Sequence, residues 1–201
     1  LQKKVLIVTF DLDNLDAESK SNATRVYKKR HWKPKILHNF DRDGHDKHIK
    51  VVDAAVRTSS APTYFPSYQG YVDGGVAANN PSMCALAATL KDGVPISDIR
   101  LMSLGTGYNP NYIPGDRLDW GYKDWAPRLV DLFMDGPIGI ADYQCRQVLN
   151  GCYHRVQPIL AQSVQMDDAG SVPFLLEEAD RFDLDEAKVW VECKWKEEVE
   201  S

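Results

Sequence analysis

No apolar run in the 201-residue chain approaches the roughly 18 residues that a bilayer-spanning helix needs. The opening Leu1-Gln2-Lys3-Lys4-Val5-Leu6-Ile7-Val8 is shorter than the apolar region of a signal peptide, and no small-residue cleavage site follows it. No initiator methionine stands first, so the chain is expected to begin inside a longer reading frame or to have been processed or trimmed. Basic residues are not in excess. The 24 Lys and Arg face 29 Asp and Glu, and the formal charge of -5 argues against a nucleic-acid partner. Cysteine is scarce. The four residues Cys84, Cys145, Cys152 and Cys193 form no Cys-x-x-Cys pair. Neither they nor the five histidines (31, 38, 45, 48 and 154) show metal-ligand spacing. The expectation is free, packed thiols in a cytoplasmic protein, with no metal and no cofactor.

What is present suffices for a core: 43% of residues are apolar and 26% charged, an ordinary globular mixture. Val5-Leu6-Ile7-Val8-Thr9-Phe10 is continuously apolar and β-rich, which predicts a buried strand of a mostly parallel sheet. A weaker strand is predicted at 36–40, a short helix at 51–57, and a loop at 58–66 punctuated by Pro62 and Pro66. A short strand at 70–73 ends on Asp73. Asn80 can cap the helix predicted at 82–90, and Pro81 suits its first position. Residues 99–105 read as a strand. Helical periodicity runs through 125–149, where Gly136-Pro137 is expected to break it into two helices. A strand at 153–159 and helices at 172–176 and 183–198, the last amphipathic, complete the chain. Alternating strands and helices predict an α/β fold, a mostly parallel sheet with helices on both faces, read as one unit.

Asp73 is the residue that carries chemistry. A carboxylate at the end of a strand sits at the sheet edge where open α/β folds bind ligands. Gly74 and Gly75 remove side-chain bulk beside it, so backbone and substrate can approach closely. Such an aspartate can act as a general base once a hydroxyl nucleophile lies within hydrogen-bond reach. Asp-Gly-Gly is also a common tight turn, and the tripeptide alone leaves both readings open.

The surroundings narrow the choice. Ser59-Ser60-Ala61-Pro62-Thr63-Tyr64-Phe65-Pro66 precedes Tyr71-Val72-Asp73-Gly74-Gly75-Val76-Ala77-Ala78-Asn79-Asn80-Pro81, and Ser103-Leu104-Gly105-Thr106-Gly107 follows. In these blocks and their order the chain resembles the patatin-like phospholipase family. Tyr153-His154-Arg155-Val156 and Asp167-Asp168-Ala169 resemble that family's late strand and the acidic stretch after it. The resemblance runs from Val5 to about Leu176. It implies a three-layer α/β/α sandwich and hydrolysis of lipid acyl esters by a serine–aspartate dyad. The serine would lie in a Gly-x-Ser-x-Gly elbow, a glycine-rich loop would form the oxyanion hole, and Asp73 would be the base, supported by Gly74, Gly75 and Asn80.

The 201 residues contain no Gly-x-Ser-x-Gly and no glycine-rich loop near the start. In the family both precede the strand matched to residues 5–10. The chain is therefore expected to be the C-terminal portion, 1–201, of a single patatin-like domain, supplying the base while the nucleophile lies elsewhere. Ser59 and Ser60 are read as backbone-capping or packing residues, not as nucleophiles.

Other signals point elsewhere. Asp11-Leu12-Asp13 after a strand resembles the nucleophile motif of haloacid-dehalogenase-like phosphatases, with Asp11 attacking phosphorus and Asp13 as acid. The usual Gly-Thr is replaced by Asn14-Leu15, and the blocks from Ser59 to Pro81 stay unexplained. Asp41-Arg42-Asp43-Gly44-His45-Asp46 departs from EF-hand order, with its glycine early and Val52 at the twelfth position, and reads as a solvated loop. The basic run 28–35 around Trp32 is a solvated face or a contact for a phospholipid surface. Residues 125–140 are ordinary core or an acyl groove. The expected function is lipid acyl hydrolysis of phospholipase A or lysophospholipase type, with a phospholipid or other acyl lipid as substrate and peripheral membrane contact. The alternative is a catalytically incomplete pseudo-enzyme that binds lipid or a partner.

Overall fold

The computed structural model describes residues 3–14, 30–41, 46–117 and 119–195. Leu15 beside the Asp11–Asp13 motif, Lys28 and Lys29 of the basic run, and residues 42–45 of the charged loop lie outside them. The chain divides into two compact units. One is Leu1–Asn79 with Phe133–Pro137; the other is Asn80–Leu132 with Ile138–Ser201.

In the first unit the apolar strand β1 (Leu6–Asp11) is central, between β2 (Lys33–His38) and β3 (Tyr71–Asp73). Both neighbours pair antiparallel to it, with Ile7 opposite Leu37 and Thr9 opposite Asp73. A strand hydrogen-bonded on both edges is screened from water, which is why its sequence reads as unbroken and why Val8 and Thr9 are buried. β2 and β3 therefore run the same way, and helix α1 (Val51–Thr58) crosses between them with β1 interposed. The end of α1 is tied to the sheet. Thr58 Oγ1 donates to the Val8 carbonyl (2.5 Å), and Thr9 Oγ1 donates to that of Val72 (3.1 Å). The Ser59 and Ser60 hydroxyls fold back onto Ala55 O (2.9 Å) and Val56 O (2.7 Å), the capping role their position implies. The Ser60 carbonyl then accepts the Asp73 N–H at 3.0 Å, joining α1 to β3. A four-residue helix, α2 (Gly75–Ala78), follows β3 directly.

The second unit contains α3 (Ser82–Lys91), β4 (Leu101–Leu104), β5 (Tyr153–Val156), α5 (Val172–Arg181) and α6 (Asp185–Trp195). β4 and β5 pair in parallel, Leu101 opposite Tyr153 and Ser103 opposite Arg155. Leu86, Ile99, Cys145, Leu149 and Tyr153 form its core, with Met83, Leu101 and Cys152 packed on them. All four cysteines are free; Cys145 is fully buried and Cys193 is exposed. Burial, with the Asp142 charge adding to it, pushes the Cys145 thiol up to about 11, so it is inert filling. Trp190 of α6 donates Nε1–H to Gly151 O (2.9 Å) and stacks on His154 of β5.

Among the described residues the chain is thus mixed α/β with two small sheets. The expected mostly parallel pairing is found only between β4 and β5 among the described residues; β1 has antiparallel partners. The residues between β4 and β5 include α4 (Tyr122–Leu149), one 28-residue helix where two were expected at Gly136-Pro137. Proline removes one intrahelical donor. Side-chain amides supply donors to carbonyls flanking the ring: Asn79 Nδ2 to Met134 O (3.2 Å) in the first unit, and Asn80 Nδ2 to Ile138 O (3.3 Å) in the second. The carbonyl that Pro137 leaves without its intrahelical donor is that of Phe133, so these bonds tie the helix on both sides of the ring without replacing the lost one.

Gly74 has no positive φ; its requirement is space. A Cβ there would run into the carbonyl oxygen and carbon of Val8 and lie 2.9 Å from the Thr9 nitrogen, all backbone of the central strand. Gly74→Ala is expected to destabilise the chain by about 3 kcal/mol or more, because backbone cannot yield as a side-chain tip can. Gly115→Ala, which meets nothing within 4 Å, should stay within about 0.5 kcal/mol in the same urea titration.

Candidate functional site

Asp73 closes β3, and its side chain leaves the ladder from a strand only three residues long. The backbone is held on one side by the Ser60 carbonyl and on the other by pairing with Thr9. Gly74 lies flat against Val8, so the chain turns at once into α2. That turn brings the Gly75 N–H onto Asp73 Oδ1 at 2.6 Å. Gly75 is also crowded: a Cβ there would approach Met134 Cε at 2.5 Å, Asp73 Oδ1 at 3.0 Å and Asn79 Oδ1 at 3.2 Å. The two glycines therefore do different work. Gly74 permits contact with the sheet, and Gly75 keeps the carboxylate uncovered.

The carboxylate is partly buried, and no Lys, Arg or His among the described residues pairs with it. Burial raises its pKa above the ordinary aspartate value, and the Gly75 N–H bond opposes only part of that rise. An unpaired carboxylate with a raised pKa and one oxygen committed to backbone is suited to accept a proton on the other. Among the described residues no hydroxyl bonds to it.

Asn80 belongs to the second unit and is buried, 2% exposed. Its Oδ1 accepts the Ser82 N–H (3.2 Å) and the Ser82 hydroxyl (2.6 Å), which pins the first turn of α3. The helix starts at Ser82, with Pro81 as its cap position, one residue later than expected for the proline. Ser82 Oγ bonds in turn to Ser103 Oγ (2.9 Å). Ser103 Oγ accepts from Arg155 Nη1 (2.5 Å), and Arg155 Nη2 donates to Gln157 Oε1 (2.6 Å). Asn80 is therefore a scaffold residue. The partners Ser82, Ser103 and Arg155 are missing from any sequence-based site, since nothing in their spacing couples positions 82, 103 and 155. A serine inside the apolar β4 was the one available cue.

The Asp11–Asp13 pair is a turn. Asp11 Oδ1 accepts the N–H groups of Asp13 (3.1 Å) and Asn14 (2.8 Å), and Asp13 is bound to Arg30 at 2.8 Å. Of the apolar residues in the stretch 125–140 of α4, Ile138 is buried while Leu132, Phe133 and Ile140 are exposed. Trp32 of the basic run is 72% exposed. No helix among the described residues is long and apolar enough to cross a membrane, and none of their His, Cys, Asp or Glu groups forms a metal-holding cluster.

Comparison with known proteins assigns the family. The chain is 30% identical over 191 residues to CotR of Bacillus subtilis, provisionally named a sporulation hydrolase, covering 82% of this chain and 59% of that protein. It is 41% identical over 115 residues to a cGAMP-activated phospholipase of Vibrio cholerae, covering 48% of this chain and 32% of the other. It is 28% identical over 174 residues to patatin-like protein 2 of Oryza sativa subsp. japonica, covering 69% of this chain and 39% of the other. No family model matches the sequence. The chain belongs to the patatin-like phospholipase family. It spans between about a third and three fifths of the length of these three relatives.

Two outcomes test the site. The folded state holds the Asp73 proton more tightly than the unfolded chain does. Its ionisation therefore subtracts stability as pH rises through the window above the ordinary aspartate value. Asp73→Asn should be at least as stable as wild type at pH 7, and the difference should shrink toward pH 4 in urea denaturation. Asn80→Ala strips partners from the Ser82 N–H and the Ile138 carbonyl, and should cost about 1–3 kcal/mol in the same measurement.

Proposed function

We propose that the protein to which this chain belongs is a lipid acyl ester hydrolase of phospholipase A or lysophospholipase type, with Asp73 as the general base of a serine–aspartate dyad. The observation that carries this reading is the Asp73 carboxylate, partly buried, without a cation, with Oδ1 fixed by Gly75 N–H and its pKa raised. The serine is supplied by sequence outside these 201 residues, which contain no Gly-x-Ser-x-Gly. On this reading the chain is the later portion of one patatin-like domain, a three-layer α/β/α sandwich when complete, and these residues alone do not turn over substrate.

The chemistry follows from the base. As the serine oxygen attacks the acyl carbonyl, its proton passes to Asp73, and backbone N–H donors stabilise the developing oxyanion. The proton then goes to the leaving alcohol, which departs and leaves an acyl-serine. A water that gives its proton to Asp73 next releases the fatty acid and restores the serine. The raised pKa makes Asp73 a stronger acceptor than an exposed aspartate. The relatives named phospholipase and patatin-like support the substrate class, and such a substrate calls for contact with a membrane surface. A second reading rests on the absent nucleophile motif: a pseudo-enzyme that holds lipid or a partner without turnover.

The test uses the full-length protein with phosphatidylcholine vesicles. Fatty acid should be released, and Asp73→Asn should lower kcat by about 10²–10⁴-fold with an unchanged circular dichroism spectrum. Wild-type hydrolysis by the variant removes Asp73 from the mechanism, and no hydrolysis by the wild type favours the second reading.

A further inference from the structure

The first unit holds a hollow that the proposed chemistry does not use. It lies between β1, β2 and the start of α1, has a volume of about 300 Å³, and has aliphatic walls of Val5, Ile7, Leu37, Ile49, Val51 and Ala54, the lining being completed by His38, Asn39, Asp46 and Lys47. Asp73 is not among its walls; β3 lies on the opposite edge of β1 from β2. The hollow opens to solvent, with Val51 57% exposed, and apolar surface left in water gains by being covered. Its volume stands at the lower end of small-molecule sites, which admits one alkyl chain and excludes a diacyl lipid.

The polar groups at its mouth are not equivalent. Asp46 is committed: Oδ1 pairs with Lys35 Nζ at 3.0 Å, and Oδ2 accepts the His38 N–H at 3.1 Å. Lys47 is paired with Asp41 at the exposed surface, and an exposed ion pair of this kind is readily exchanged. An aliphatic hollow with one exchangeable cation at its mouth is complementary to a single-chain anion. We propose that this hollow binds a medium-chain fatty carboxylate, with its alkyl chain between β1, β2 and α1 and its head group on Lys47. The proposal stands on the cavity alone and not on the dyad.

The experiment is isothermal titration of the 201-residue chain with sodium decanoate below its micellar concentration. One saturable site per chain is expected. Val51→Asp and Lys47→Glu, both at exposed positions, should each weaken it at least tenfold while the circular dichroism spectrum is unchanged. Decanol should bind at least tenfold more weakly than decanoate, and Asp73→Asn should bind like wild type. Absence of saturable binding, many ligands per chain, or wild-type affinity in both mouth variants overturns the proposal. Equal affinity for decanol overturns the carboxylate assignment. Loss of binding in Asp73→Asn overturns the location, whether or not the full-length protein hydrolyses lipid.

Discussion

The contact between Gly74 and the backbone of Val8 sets the geometry of everything around Asp73. A side chain at position 74 would push β3 away from β1, and β3 is only three residues long. With glycine there the strand stays in register, Thr9 opposite Asp73, and the chain can turn into α2 within one residue. The Gly75 N–H then reaches Asp73 Oδ1. Ser60 closes the arrangement from the other side by accepting the Asp73 N–H. The main chain of Asp73 is thus held by Ser60 and Thr9 and its carboxylate by the Gly75 N–H, while no cation among the described residues neutralises it, so burial raises its pKa more than that one bond lowers it.

The second unit treats polar groups in the opposite way. Asn80, Ser82, Ser103, Arg155 and Gln157 form a continuous chain of hydrogen bonds, in which the buried Nε of Arg155 alone among these donors meets no acceptor in the described residues. A connected network of this sort specifies structure. Asp73 keeps one carboxylate oxygen uncommitted.

Several features were legible in the sequence because local physics decides them. The unbroken run at 5–10 is a central strand, the serines at 59 and 60 cap a helix end, and Asp73 terminates a short strand beside two glycines. The place of Asn80 before Pro81 foreshadowed its bond to the first turn of α3, although the cap position itself falls on Pro81. Strand direction was not, because an apolar run is equally compatible with parallel and antiparallel partners, and β1 took antiparallel ones. The continuity of α4 was hidden for a different reason. Pro137 is a breaker by its own chemistry, and the amides of Asn79 and Asn80 that serve the flanking carbonyls are more than fifty residues away in sequence. The Ser82–Ser103–Arg155 links are likewise long-range. The carboxylate pKa, too, depends on burial that no spacing encodes.

The central claim is that a carboxylate, and no imidazole, is the base. The pH dependence of kcat/KM for fatty-acid release by the full-length protein reports the ionisation of that base in the free enzyme. The account predicts an acid limb governed by a single carboxylate, its midpoint above the ordinary aspartate value, as the burial of Asp73 requires. It also predicts that the limb survives replacement of His38, His48 and His154 one at a time. An acid limb that vanishes with one of these histidines would contradict it.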